Sequence, residues 1–179
     1  MLITREPGGA PGADILRRLL LEAPPPPGWS ALGESLLHNA ARAEHLDKTI
    51  RPALAGGRWV VCDRFADSTA AYQGAGLGVT AETLAVLRRL VVAGDEPDLV
   101  LVLDVPVDTA FARVAARSPH GDRYERLDVS FHRRIREAFL SIAAGGGERY
   151  VVIDGDCPSG DLAAGIRALV AGRFGVMFG

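Results

Sequence analysis

Residues 98–104 constrain the fold most strongly, because two aspartates there enclose the apolar run Leu99-Val100-Leu101-Val102-Leu103. An antiparallel strand with one face in water alternates apolar and polar side chains, whereas a parallel strand packed between helices is apolar throughout. The run therefore predicts a parallel strand that is covered on both faces. Residues 59–63 and 150–154 are similar short apolar runs that end in an aspartate, and they predict two further strands.

Helices are predicted between these strands. Apolar residues recur at helical spacing in six segments, near residues 13–20, 32–50, 84–91, 107–116, 128–142 and 162–170. Strands that alternate with helices, joined by right-handed crossovers, predict an α/β fold with a three-layer parallel sheet. The length of 179 residues and the hydrophobic content of 48% predict a single domain over residues 1–179.

Composition and charge argue against several classes of function. The formal net charge is −2, which gives no overall attraction to nucleic acid or to an anionic membrane. No apolar run approaches the length of a membrane span, and the first residues lack the basic and apolar stretches of a signal peptide. We therefore expect a soluble cytoplasmic protein with no membrane partner. Cys62 and Cys157 fit neither a metal-ligand spacing nor a disulfide framework, so two free thiols are expected.

The pair Asp63-Arg64 directly follows the apolar residues of the run 59–63. In an open α/β sheet, ligands bind beyond the carboxyl ends of the strands, and a guanidinium group fits a phosphate through two parallel hydrogen bonds. The pair therefore predicts a phosphorylated ligand at this edge. Arginine is also frequent between residues 113 and 136, where seven arginines accompany three acidic residues. This stretch is either a solvated helix face or a segment that contacts phosphates.

Several short motifs together resemble the thymidylate kinase family. They are Thr4-Arg5-Glu6-Pro7-Gly8-Gly9, Glu34 with Arg42-Ala43-Glu44-His45, Ile50-Arg51-Pro52-Ala53-Leu54, Cys62-Asp63-Arg64-Phe65, Ala71-Tyr72-Gln73-Gly74 and Gly121-Asp122-Arg123-Tyr124-Glu125-Arg126. The resemblance runs from the first residue to about residue 170. It implies the fold of the P-loop nucleoside monophosphate kinases and transfer of the ATP γ-phosphoryl group to dTMP, with Mg²⁺ as cofactor. It also implies a homodimer.

The resemblance assigns Asp63 and Arg64 to the catalytic centre. Arg64 is similar to the family arginine that grips the 5′-phosphate of dTMP, and Asp63 is expected to orient this arginine or to bind Mg²⁺ through water. Arg5, Glu6 and Arg17 are similar to substrate-binding residues around the same phosphate. A purely structural role stays open for Asp63, as a carboxylate paired with Arg64 for stability alone, and for Arg5 and Arg17, as ordinary surface arginines.

Five further residues are expected to contact the nucleoside by the same resemblance. Arg42 is similar to the arginine that hydrogen-bonds the thymine edge, and His38 stands where the family usually has a phenylalanine that stacks on thymine. Thr69 and Tyr72 are similar to positions near the sugar and base, and Gln73 to a residue that bonds the pyrimidine. Imidazole offers less stacking area than phenylalanine, so His38 puts base affinity in question. A bystander role stays open for His38, and turn or core roles stay open for Thr69, Tyr72 and Gln73.

A lid over ATP is predicted at about residues 117–127 from the same resemblance. Phosphoryl transfer is stabilised chiefly by positive charge placed around the transferred group, and an arginine that closes over it contributes strongly to the rate. Arg117, Arg123 and Arg126 are the candidate catalytic arginines of this segment.

The motif that would bind the ATP phosphates is not found in the 179 residues. They contain no Gly-Lys dipeptide, and the only lysine, Lys48, lies within a predicted helix. We therefore expect the first strand and the P-loop of the family to be absent from this chain, and the chain as given to be inactive. Two explanations stay open, a start codon placed inside a longer reading frame and a decayed gene fragment.

Two other functions also stay open. A kinase for another deoxynucleotide, or for a deoxynucleoside, would share the Asp-Arg strand end. A non-catalytic protein that retains only the acceptor pocket would bind dTMP without binding ATP.

Overall fold

The structure is a computed structural model, and it describes residues 1–22, 28–117 and 123–177. The strands are β1 (Leu2–Arg5), β2 (Val60–Asp63), β3 (Val100–Asp104) and β4 (Tyr150–Asp154). The helices are α1 (Pro11–Glu22), α2 (Ala31–His45), α3 (Arg51–Ala55), α4 (Ala66–Thr69), α5 (Ala81–Val91), α6 (Val107–Arg117), α7 (Val129–Gly145) and α8 (Ser159–Phe174), with π-helical turns at Leu46–Ile50 and Ala70–Gly76 and a 3₁₀ turn at Gly147–Arg149. None of the helices in these ranges is both long and apolar enough to cross a lipid bilayer.

The strands form two parallel pairs. β1 pairs with β2 so that Arg5 lies opposite Asp63, and β3 pairs with β4 so that Asp104 lies opposite Asp154. Within the described ranges no ladder of hydrogen bonds joins one pair to the other. The predicted parallel α/β arrangement is confirmed, but the strands described here form two separate two-stranded sheets.

One set of strand side chains is open to solvent in the described part of the chain. Ile3 is 73% exposed, and Val61, Leu103 and Val152 are each about half exposed. Helix α7 packs against β3 and β4 but leaves these apolar side chains uncovered. The prediction that the run of residues 98–104 is covered on both faces is therefore wrong at Leu103.

The long helix α2 positions several predicted site residues. It begins at the N-cap Ser30, whose hydroxyl accepts a hydrogen bond from the Gly33 amide at 3.1 Å. The helix continues through the π-helical turn into α3, and α1 packs along it. Residues four apart lie on one face of a helix, so Glu34, His38 and Arg42 line the same side of α2.

The segment after β2 folds into α4 and the π-helical turn Ala70–Gly76. Single π-helical turns are frequent at functional sites. Helix α7 packs on this turn through Phe131 and Ile135, which contact the fully buried Ala71. At Gly76 a Cβ atom would lie 2.6 Å from the Phe131 ring, so the close approach of α7 requires glycine there.

Candidate functional site

The carboxyl ends of β1 and β2 bring four predicted site residues together. Arg5 lies opposite Asp63, and the Glu6 amide donates to the carbonyl oxygen of Asp63 at 2.9 Å. Arg64 follows directly after β2. Arg5, Asp63 and Arg64 are exposed, whereas Glu6 is buried. This edge of the sheet therefore presents two cations and one carboxylate to solvent.

Arg64 has an unusual backbone conformation. Its φ angle is +67°, in the left-handed region where side chains other than glycine are strained and where functional residues are enriched. The Cys62 thiol donates to the Arg64 carbonyl oxygen at 3.1 Å, and the Arg64 guanidinium carbon lies 5.2 Å from the centre of the Tyr72 ring. Burial, together with the carboxylates of Glu6 and Asp63, raises the pKa of the Cys62 thiol to about 12, so this donor keeps its proton at neutral pH.

The carboxylate of Asp63 makes no ion pair with Arg64 or with any other residue of the described ranges. The expectation that it orients Arg64 therefore has no contact to support it. Mg²⁺ keeps several water ligands and uses one or two carboxylates together with substrate phosphates. An exposed carboxylate with open oxygens, next to a candidate phosphate site, fits this requirement. Asp63 would hold the ion through water.

Glu6 anchors a buried ion pair. Its Oε2 accepts from Arg42 Nε at 2.8 Å, and its Oε1 lies 3.2 Å from His45 Nδ1. The other ring nitrogen of His45, Nε2, lies 2.7 Å from Thr4 Oγ1. Glu6 is 5% exposed, Arg42 3% and His45 0%. Both oxygens of Glu6 are thus bonded inside the protein, so Glu6 has a positioning role for Arg42 and His45 in this structure. The substrate contact that the resemblance suggests for Glu6 stays a prediction.

Arg42 is fixed from three directions. Besides its bond to Glu6, Nη1 donates to Asn39 Oδ1 at 3.3 Å and Nη2 donates to Thr69 Oγ1 at 3.1 Å. Arg42 and Thr69 both line a cavity of about 330 Å³ between α2, the turn Ala70–Gly76 and α5. A guanidinium carries five N–H groups, so Arg42 retains donors for a ligand while its position is held by the protein.

A second buried carboxylate, Glu34, gathers three hydrogen-bond donors. Glu34 is 1% exposed. Its Oε1 accepts from Gln73 Nε2 at 2.8 Å and from the Tyr124 hydroxyl at 2.9 Å, and its Oε2 accepts from Arg123 Nη2. The Arg123 guanidinium carbon also lies 4.7 Å from the centre of the Tyr124 ring. Arg123, a predicted lid arginine, is therefore bonded in this structure to the same carboxylate as Gln73.

His38 belongs to an aromatic group next to Glu34. Its Nε2 lies 3.0 Å from the Tyr124 hydroxyl, and the Tyr124 ring meets the Tyr72 ring edge to face, with centroids 5.4 Å apart. Burial, and then the cations of Arg42 and Arg64, lower the pKa of His38 to about 4. The ring is therefore neutral at physiological pH, as suits a ring that contacts an uncharged base.

We expect His38 to make stability depend on pH. The folded protein keeps the ring neutral down to about pH 4, whereas the unfolded chain binds the proton near the ordinary pKa of 6.5. The free energy of unfolding therefore falls as pH decreases from 6.5 to 4, by about 2 to 3 kcal/mol from this residue, since one pKa unit corresponds to about 1.4 kcal/mol. Urea unfolding of the wild type and of His38→Phe at both pH values measures the effect. An equal loss in the two proteins would contradict it.

The remaining predicted residues are less closely connected to the site. Arg17 Nη1 donates to the carbonyl oxygen of Pro7 at 2.7 Å, which ties α1 to the loop after β1. Arg126 is exposed. The side chain of Arg117 and residues 118–122 of the predicted lid lie outside the described residues. The lid therefore stays a prediction.

Some residues that bond the predicted site received no role from the sequence. Asn39 had none, and Glu34, His45 and Tyr124 were named only as parts of a motif. The available signal was the spacing of polar residues along α2, because polar groups on a buried helix face need hydrogen-bond partners. Tyr124 is separated from α2 by a long stretch of chain, and no local pattern could have indicated that contact.

Parallel strand pairs alternate with helices, and charged residues lie at the carboxyl ends of the strands. Comparison with a solved structure identifies this arrangement as a fold of the P-loop nucleoside monophosphate kinase type. A crystal structure of thymidylate kinase from Ehrlichia chaffeensis matches the chain with a TM-score of 0.75 and 30% sequence identity. The match covers 94% of this chain and 80% of that chain.

Sequence comparison specifies the family. The model of the family described as thymidylate kinase matches residues 1–166. The chain is 47% identical over 170 residues to the thymidylate kinase of Chromohalobacter salexigens, which covers 95% of this chain and 80% of that protein. It is 50% identical over 142 residues to the thymidylate kinase of Rhizorhabdus wittichii, with coverage of 79% and 68%. The chain belongs to the thymidylate kinase family, a family of phosphotransferases.

Proposed function

We propose that this protein serves the phosphorylation of dTMP to dTDP by ATP, and that the acceptor phosphate binds at the carboxyl ends of β1 and β2. The observation that most supports this is the exposed Arg64, held in a left-handed conformation beside Asp63 and near Arg5. Two cations on one sheet edge attract a doubly charged phosphate monoester. The planar guanidinium adds bidentate hydrogen bonds, which the compact ammonium group of a lysine does not offer.

Each charged group at this edge then has a proposed task. Arg64 and Arg5 bind the 5′-phosphate, and Asp63 holds Mg²⁺ through water. The chemistry that Mg²⁺ supplies is neutralisation of the charge on the ATP phosphates. Arg117 and Arg126 are proposed as lid arginines. A similar role for Arg123 requires that it leaves Glu34, which holds it in this structure.

The base is proposed to bind between α2 and the turn Ala70–Gly76. His38 and Tyr72 offer neutral ring surfaces on which a pyrimidine can stack. Arg42 donates from a fixed guanidinium, and Gln73 provides an amide at the edge of the ring. Thr69 contributes indirectly, since its hydroxyl holds Arg42.

Binding is a more suitable readout than turnover for this chain. The 179 residues contain no Gly-Lys dipeptide, and we propose that they do not turn over ATP without additional sequence. Family membership also supports the further proposals of a homodimer and a cytoplasmic location.

Titration calorimetry with dTMP, dGMP and thymidine tests the proposed acceptor. We expect dTMP to bind at least about tenfold more tightly than either competitor, because thymidine lacks the phosphate and dGMP carries a base that the polar groups do not match. Binding of dGMP as tight as that of dTMP would favour a kinase for another nucleotide. Equal affinity for thymidine and dTMP would remove the proposed phosphate site.

A further inference from the structure

The side-chain amide of Gln73 is fixed in one orientation by Glu34. Gln73 is 1% exposed, and its Nε2 lies 2.8 Å from Glu34 Oε1. An ionised carboxylate only accepts hydrogen bonds, so the end of the amide that faces it must be the nitrogen. A rotated amide would place the Gln73 oxygen against the Glu34 oxygen inside the protein, with no donor between the two.

The same argument leaves the other end of the amide as an acceptor. The Oε1 of Gln73 makes no hydrogen bond to any residue in the described ranges. A ligand that meets this oxygen therefore has to bring a donor. Thymine and uracil carry a ring N–H at position 3, whereas cytosine carries a lone pair there.

Glu34 is itself held in place by two other donors. Arg123 Nη2 donates to Oε2, and the Tyr124 hydroxyl donates to Oε1 at 2.9 Å. Because the single hydroxyl proton of Tyr124 goes to Glu34, the Tyr124 oxygen accepts from His38 Nε2, which lies 3.0 Å away. The donor and acceptor roles in this group of hydrogen bonds, from His38 through Tyr124 to Gln73, thus depend on the one buried carboxylate of Glu34.

We propose that Glu34 is a positioning residue that sets the base selectivity of the acceptor site, by presenting the Gln73 carbonyl oxygen to a pyrimidine with a ring N–H and thereby rejecting cytosine. This inference rests on the proposed function, because it takes Gln73 to face the base. It assigns to Glu34 no contact with substrate. Selectivity is expected to depend on the charge of Glu34, since a neutral amide at that position could donate as well as accept.

The first experiment measures calorimetric affinities for dTMP, dUMP and dCMP in the wild type and in Glu34→Gln. We expect the wild type to bind dTMP at least about tenfold more tightly than dCMP, and Glu34→Gln to reduce that ratio to about threefold or less, because Gln73 can then turn its nitrogen to the base. The ratio of dTMP to dUMP should stay the same, since both bases carry the ring N–H. An equal loss of affinity for all three nucleotides would indicate a purely structural role and overturn the proposal.

Two further variants sharpen this test. Asp95→Asn is a matched change from carboxylate to amide, and it removes the pairing of Asp95 with Arg51 at 2.8 Å, which has no bond to Gln73. It should leave all three affinities unchanged. Gln73→Met removes the amide, and adding Glu34→Gln in that background should produce no additional change in the ratio of dTMP to dCMP. A further change there would mean that Glu34 does not act through Gln73.

An independent measurement uses the unaltered protein, in case Glu34→Gln does not fold. Gln73 is the only glutamine and Asn39 the only asparagine of the chain, so selective ¹⁵N labelling of glutamine reports on Gln73 alone. We expect its side-chain NH₂ protons to exchange with water at least about tenfold more slowly than those of free glutamine, with and without dTMP, because the amide is buried and one of its protons is bonded to a buried carboxylate. Exchange at the free rate would overturn the inference. Failure of the wild type to prefer dTMP over thymidine would instead overturn the proposed function.

Discussion

Replacing Glu6 with alanine is expected to lower the free energy of unfolding by about 3 to 5 kcal/mol. Removing one partner of a buried ion pair leaves the other charge uncompensated in a medium that solvates it poorly, and losses of this size are typical. Arg42 is 3% exposed and would lose its Nε partner, while His45 would lose the acceptor near its Nδ1. Since a domain of this kind is stabilised by only about 5 to 15 kcal/mol, the loss is large enough to shift the unfolding midpoint strongly.

Urea unfolding followed by circular dichroism measures this effect. Glu6→Gln should have a smaller effect than Glu6→Ala, because the amide oxygen can still accept from Arg42. The matched control is Asp47→Ala, which removes an exposed pairing with Lys48 and should leave the midpoint unchanged. An alanine variant at position 6 with nearly wild-type stability would contradict the positioning role of Glu6.

Replacing Arg64 with alanine is expected to weaken dTMP binding by at least about 100-fold. Hydrogen bonds to charged groups contribute about 1.5 to 3 kcal/mol each, and a bidentate phosphate contact would lose two of them. Alanine at position 64 has the same left-handed restriction as arginine, so the substitution removes the side chain while it keeps the backbone requirement. The loss should therefore appear in affinity with little change in stability.

Calorimetry with dTMP measures the loss of affinity. The urea unfolding curve of the same variant tests whether its stability is unchanged. Arg58→Ala is a control that removes one exposed arginine, whose Nη2 donates to the carbonyl oxygen of Met1 at 3.3 Å. It should leave dTMP affinity unchanged, which separates a specific contact from the loss of one positive charge. A similar decrease in both variants would attribute the effect to net charge.

The fold could be predicted in outline because its main signals are local. The apolar run of residues 98–104 predicts a parallel strand, and β3 lies there and pairs in parallel with β4. What a run of this kind cannot specify is which elements cover it, because covering depends on distant parts of the chain. Leu103 is accordingly exposed on a strand that was predicted to be enclosed. The π-helical turn Ala70–Gly76 also lacks a distinct local signal.

The candidate site was predictable where a residue's position in the chain fixes its place in the sheet. Asp63 and Arg64 follow a strand, so their location at its carboxyl end could be inferred before the structure. The internal bonds of Glu34 could not be inferred, because Tyr124 lies 90 positions further along the chain. The pairing of Arg123 with Glu34 was missed for the same reason, since the local sequence around Arg123 indicated only a cluster of arginines.

The most direct test compares the affinities for dTMP and thymidine in the wild type and in Arg64→Ala. The two ligands differ only in the phosphate, so the ratio of their affinities isolates the contribution of the sheet edge. Binding of the phosphate by Arg64 predicts a ratio of about 100 in the wild type that falls below about 10 in the variant, since each factor of ten corresponds to about 1.4 kcal/mol. An unchanged ratio would contradict the assignment of this edge as the phosphate site.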